Sequence, residues 1–254
     1  MRGFLTLDCE GETLVASLDE AAGTTGLLIV SGGNEVRGGA HRGMAMLAAR
    51  LASAGTPVLR FDRRGVGDSS CANRGYATSG PDLAAAAAAL RCEQPQVTRV
   101  IGFGNCDAAS ALALFGRAAG LDAVVLANPW VVETQDLPPA AAIRRRYLTR
   151  LTEPGAWWRL ATGRVDLVKL VKGLRRLATP EPQDVANRVV AAIQAWGSDA
   201  HIVLADGDAT ALAFAAAARA RRLTTPIERI ATASHSFAGI EAAGALEAAI
   251  RRAL

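Results

Sequence analysis

Continuous apolar runs punctuate the chain, and each closes in glycine or polar residues. Residues 27–30 run into Ser31-Gly32-Gly33-Asn34 and residues 57–61 into Asp62. Residues 97–104 run into Asn105-Cys106, 123–127 into Asn128, and 201–205 into Asp206-Gly207-Asp208. Runs without polar alternation suit strands buried on both faces of a sheet. Between them lie stretches of helical spacing: 41–54, with Met44, Leu47, Ala48 and Leu51 on one face, then 81–90, 106–119, 184–196, 210–222 and 239–254. Two β-prone stretches, 4–7 and 13–18, separated by Gly11, predict an opening antiparallel hairpin. A last strand, 227–231, precedes Ser234-His235-Ser236-Phe237.

Strands alternating with helices predict an α/β fold, a mostly parallel sheet flanked by helices. Ligands in such sheets bind at the carboxyl ends of the strands, where every polar cluster named above falls. The alternation breaks after the sixth strand. Residues 131–182, bounded by Pro138-Pro139 and Pro180-Glu181-Pro182, are expected to form a helical cap. Residues 1–130 and 183–254 then make the core.

The chemistry centres on Val100-Ile101-Gly102-Phe103-Gly104-Asn105-Cys106-Asp107-Ala108-Ala109-Ser110. A strand ending in small-x-nucleophile-x-small is the pattern of a nucleophile elbow, in which a sharp turn leads into a helix. The residues two positions to either side of the apex must lack bulk, and Gly104 and Ala108 do. An apex at Asp107 would put Asn105 at that position, a poorer fit, so Cys106 is the candidate nucleophile. Its counter-reading is a small buried hydrophobe, the usual fate of a free cysteine.

A thiol nucleophile needs a base, and the base an orienting carboxylate. His235 follows a late strand, and Asp208 follows the strand before it. Asp206, closer to the strand body, competes for the acid role. Nucleophile, acid, histidine is also the chain order of α/β-hydrolase triads. Stabilising a tetrahedral intermediate takes two donors. The Asp107 N–H at the start of the elbow helix and the Gly33 N–H in the glycine loop are the candidates. His41, Arg42, Asn128 and Trp130 are candidate substrate contacts, whereas 62–69 is expected to pack the loops beneath the site.

Composition narrows the setting. Half of the 254 residues are hydrophobic, enough for a sizeable core. Cys9, Cys71, Cys92 and Cys106 have no paired spacing and no nearby histidines, which argues against zinc and against a disulfide framework. No metal and no cofactor is expected. Met1 to Glu10 holds no long apolar run, so neither a signal peptide nor a membrane span is expected and the setting reads as cytoplasmic. The net charge of +4 conceals an asymmetry: residues 144–176 carry ten Lys or Arg against two acids. Such a run is usually a solvated face. With Trp157 and Trp158 it also suits an anionic partner, either coenzyme A, acyl carrier protein or the surface of a membrane. No nucleic-acid-binding motif accompanies it.

Several stretches mark a resemblance. Asp62-Arg63-Arg64-Gly65-Val66-Gly67-Asp68-Ser69 and the elbow resemble the α/β-hydrolase superfamily over nearly the whole chain. Ser31-Gly32-Gly33, residues 38–42, the elbow, Asn128-Pro129-Trp130-Val131 and Gly163-Arg164-Val165-Asp166 resemble, more narrowly, the exosortase A system-associated hydrolases of type 1. The resemblance implies a Cys106, Asp208, His235 triad and an association with exopolysaccharide and protein-sorting machinery. Two positions depart from the pattern: Asp206-Gly207-Asp208 is a variant acid loop, and Ser31 stands where esterases commonly have histidine. The expected activity is cleavage of a thioester or activated ester through an acyl-enzyme. The alternatives are acyl transfer by the same residues and a non-catalytic binding module on the same scaffold.

Overall fold

A computed structural model describes residues 1–132 and 184–254. Most of the expected cap, with Tyr147, Trp157, Trp158 and the basic run 144–176, lies outside the described residues.

The hairpin forms as β1 (Arg2–Cys9) and β2 (Glu12–Asp19), turning at Glu10 and Gly11, both with positive φ. The remaining strands are β3 (Thr25–Val30), β4 (Val58–Phe61), β5 (Arg99–Asn105), β6 (Ala123–Ala127), β7 (Ala200–Ala205) and β8 (Ile227–Ile230). They form one sheet in the order β1-β2-β4-β3-β5-β6-β7-β8. β2 runs antiparallel to both its neighbours, and β4 through β8 are parallel. The register aligns the carboxyl ends: Val30 pairs with Phe61 and with Gly104, Asn105 with Ala127, and Ala205 with Ile230. The loops leaving these strands therefore open at one edge of the sheet.

The helices are α1 (Gly43–Ser53), α2 (Gly80–Glu93), α3 (Asp107–Phe115), α4 (Asp184–Trp196), α5 (Ala209–Ala220) and α6 (Ile240–Ala253). Along β3, Leu27 and Ile29 face a core closed by Leu47 and Leu51 of α1 and Ile250 of α6. Leu28 and Val30 face the opposite core, with Leu83, Leu112, Ile193 and Phe214 from α2 to α5. Two covered faces account for strands without polar alternation.

Two helix starts differ from the sequence reading for a reason in the backbone. Residues 41–42 sit in a short 3-10 turn with His41 and Arg42 at positive φ (51° and 61°), so α1 begins at Gly43. α3 begins one residue after Cys106, because Cys106 takes a conformation that no helix contains.

Candidate active site

The elbow is built by close approach. Cys106 has φ 62° and ψ −127°, a strained setting for a residue with a side chain. A Cβ on Gly104 would lie 2.9 Å from the Ala108 carbonyl carbon and 2.9 Å from Leu112 Cδ1, so β5 and α3 meet only because Gly104 lacks one. On the other side, a Cβ on Gly32 would lie 2.5 Å from the Asn105 carbonyl oxygen and 3.3 Å from Cys106 Cβ. The glycine loop thus rests directly on the elbow. Asp107 is the first residue of α3 and is not the apex.

His235 reaches this point from the loop after β8. Its Nδ1 lies 3.0 Å from Asp208 Oδ1, and its side chain is close enough to Cys106 for the sulfur to favour its charged form. The two carboxylate oxygens of Asp208 divide their tasks: Oδ1 meets His235, and Oδ2 accepts the Ala211 N–H at 2.9 Å, capping α5. Burial pushes the Asp208 carboxyl up, but these hydrogen bonds outweigh it and hold the group below the usual carboxylate range. The bond to Asp208, and after it the nearby Cys106 sulfur, push His235 up to about 10 against the effect of burial. Asp206 faces away and pairs with Arg229 at 2.8 Å. It is Asp208 that His235 meets beside Cys106.

Other candidates are placed differently. The Gly33 N–H donates to Asp107 Oδ1 at 2.6 Å, so the structure holds this expected oxyanion donor on a carboxylate. Arg63, 5 % exposed, donates to the Gly33 carbonyl at 2.7 Å and to Asp107 Oδ2 at 3.2 Å. Gly33 is thereby held from both sides. The Asp107 N–H opens α3, where no carbonyl one turn earlier receives it.

The structure places Asn128, a candidate substrate contact, in the interior. It is fully buried, and its Nδ2 donates to Asn105 Oδ1 at 3.0 Å and to the His235 carbonyl at 3.2 Å. Its Oδ1 accepts the Ala205 N–H at 2.9 Å. Every polar atom of the side chain is committed to holding the His235 loop against β7. Trp130 donates its N–H to the Cys106 carbonyl at 3.1 Å and accepts from Ser110 Oγ at 2.6 Å, while its half-buried ring packs on the core. His41 is exposed and lines a groove beside the His235 loop; Arg42 is exposed and its N–H bonds Gly39. The 62–69 stretch packs as expected. Asp62 is fully buried and receives the Arg37 N–H at 2.5 Å, the Arg37 guanidinium and the Asp68 N–H.

Sequence reasoning missed Asn105, whose Nδ2 donates to the His235 carbonyl at 2.9 Å. It also missed Glu35, half-buried in the cleft with Gly32, Asn105 and Ser236. Burial pushes its carboxyl up, opposed by the Ala40 N–H and by His235. Neither residue carries a local signal, since their partners are distant in sequence. Among the described residues no helix is long and apolar enough to cross a membrane.

The sequence matches no family profile and no curated protein. Solved structures do match in fold. The esterase Pf2001 of Pyrococcus furiosus superposes with a TM-score of 0.62 at 14 % identity, over 99 % of this chain and 92 % of that one. XC6422 of Xanthomonas campestris, described as an a/b serine hydrolase without lid, gives 0.62 at 19 % identity, over 100 % and 95 %. The thioesterase domain of the curacin biosynthetic pathway gives 0.59 at 13 % identity, over 99 % of each chain. This chain has the α/β-hydrolase fold. Within it, the strained residue at the end of β5 is a cysteine beside a histidine.

Proposed function

We propose that the protein is an acyl hydrolase that cleaves a thioester or activated ester through an acyl-Cys106 intermediate. The observation that carries this reading is the contiguous line Cys106, His235, Asp208, with Cys106 held strained at the elbow apex. The sulfur attacks the carbonyl carbon, and the proton that leaves it resides on His235. The tetrahedral intermediate expels a thiolate or alkoxide, which takes that proton. Water then attacks the acyl-cysteine, giving a proton to His235 and releasing the acid and the free thiol. Asp208 orients the imidazole and stabilises its charge. The Asp107 N–H receives the oxyanion, joined by the Gly33 N–H once the carbonyl oxygen displaces the Asp107 carboxylate from it. A thiolate is itself a good leaving group, so an amide would return to reactant, whereas a thioester or activated ester goes forward.

Fold neighbours named as an esterase and a thioesterase support the reaction class. On this reading the basic run 144–176, outside the described residues, serves an anionic carrier such as coenzyme A or acyl carrier protein. The setting is the cytoplasm, in association with an exopolysaccharide and exosortase system as the sequence resemblance implies. The test is pre-steady-state turnover of a p-nitrophenyl ester with intact-mass analysis. A burst with one acyl group on Cys106, absent in Cys106→Ala, is expected; full turnover by Cys106→Ala overturns the assignment.

A further inference from the structure

Beside the His235 loop, an apolar groove of about 540 Å³ runs between α1 and α6. Nothing in the reaction described above uses it. Its floor is apolar and buried, with Leu47, Phe237 and Leu246 each below 5 % exposed. Its rim carries Met46, 54 % exposed, and Ile240, 95 % exposed. Large apolar side chains held this far into water on either side of one depression mark a ligand surface. Methionine, flexible and polarizable, suits such a wall.

Gly244 adds a second observation. It lies in the interior of α6, where glycine is the poorer choice, in a chain that fills its helices with alanine. A Cβ there would meet nothing within 4 Å. The sequence thus leaves open space over the groove where a side chain would fit.

The groove is bounded. Its far end is shut by Arg50, which donates to Glu247 at 2.6 Å, so the charged residues there satisfy each other. Gly43 and Arg50 are seven residues apart on α1, a run of about 10 Å at the rise of a helix. Its near end meets the site. Met44, Ala40 and Ser236 line both the groove and a narrow cleft that continues to Gly32 and Asn105, the residues against the Cys106 elbow. Apolar walls, one closed end and one end at the narrow cleft beside the elbow describe a slot for one flexible alkyl chain rather than for a peptide, whose amides would find few partners there.

We propose that this groove seats the acyl chain of the substrate, which is therefore a medium-length aliphatic acyl group on a thioester or ester. The inference rests on the acyl-hydrolase reading above. It assigns Met46 and Gly244 as specificity-determining positions.

The test combines kinetics with labelling. Across p-nitrophenyl esters from acetyl to octanoyl, kcat/KM rises about two- to fourfold per methylene buried. Gly244→Trp, which fills the groove, flattens the series, and so does Met46→Asp, an exposed position where folding is not at stake. Independently, an octanoyl N-acetylcysteamine thioester with a terminal diazirine labels α1 or α6 in Cys106→Ala protein, and the label is lost in the Gly244→Trp background. Labelling of any other segment, or a series equally flat in wild type, overturns the groove assignment. Turnover through Cys106 with the label elsewhere leaves the hydrolase standing and removes the groove. Label in the groove without turnover of any ester removes the hydrolase.

Discussion

The Asp107 carboxylate accepts the Gly33 N–H at 2.6 Å, and the buried Arg63 holds both the carboxylate and the Gly33 carbonyl. On the proposed reading Asp107, the residue after Cys106, therefore competes with a substrate carbonyl oxygen for that donor. Asp107→Asn keeps an acceptor in place and removes its charge, which weakens the hold on Gly33. A rise of about three- to tenfold in kcat/KM for an activated ester is expected from a hydrogen bond weakened by about 1 kcal/mol. A tenfold fall would show instead that the carboxylate is needed to shape the loop.

Asp208→Asn keeps the α5 cap, since asparagine caps as well as aspartate. It presents an amide in place of the carboxylate to His235, and a fall in kcat of about 10³- to 10⁴-fold is expected. Asp206→Asn weakens an exposed pair with Arg229 and is expected to change kcat less than twofold. Steady-state rates of the two variants, side by side, distinguish the carboxylates.

Asn128→Ala leaves the Ala205 N–H and Asn105 Oδ1 without their buried partner and takes one of two donors from the His235 carbonyl. Stability drops by about 1–3 kcal/mol, read as a shift in the urea midpoint. The His235 loop loses part of its anchor, so kcat falls while KM is little changed. A KM effect alone would return Asn128 to the substrate contacts.

His235 titrates at about 10 in the fold against an ordinary 6.5. Its raised value means the folded protein holds this proton more tightly than the unfolded chain. The stability it contributes is full below about pH 6.5 and lost as pH rises through about 10. The difference in urea midpoint between wild type and His235→Gln is expected to shrink between pH 6 and pH 10. A difference that grows with pH would contradict the assigned charge state.

Gly104→Val drives a branched side chain into the Ala108 backbone and Leu112. A loss of about 1–3 kcal/mol is expected from overpacking at the elbow, measured by thermal unfolding.

Much of this architecture could be read from residue order. Unbroken apolar runs mark strands covered on both faces, and Gly104 and Ala108 mark the bend, because both are local consequences of burial and bulk. What could not be read depends on partners far apart in the chain. Asp206 and Asp208 flank one glycine and look equivalent until β7 pairs with β8, which turns Asp206 toward Arg229 and Asp208 toward His235. Asn128 follows a strand exactly as a ligand contact does, and only the fold shows it fully enclosed. The left-handed turn at His41 and Arg42 defeats a helical periodicity that continues smoothly across it.

The clasp of Asn105 and Asn128 on the His235 carbonyl joins residues 130 and 107 positions apart. During synthesis the thiol emerges and its strand can pair long before the imidazole exists. On the proposed reading a growing chain thus carries an unarmed sulfur until the last strand brings the imidazole to it.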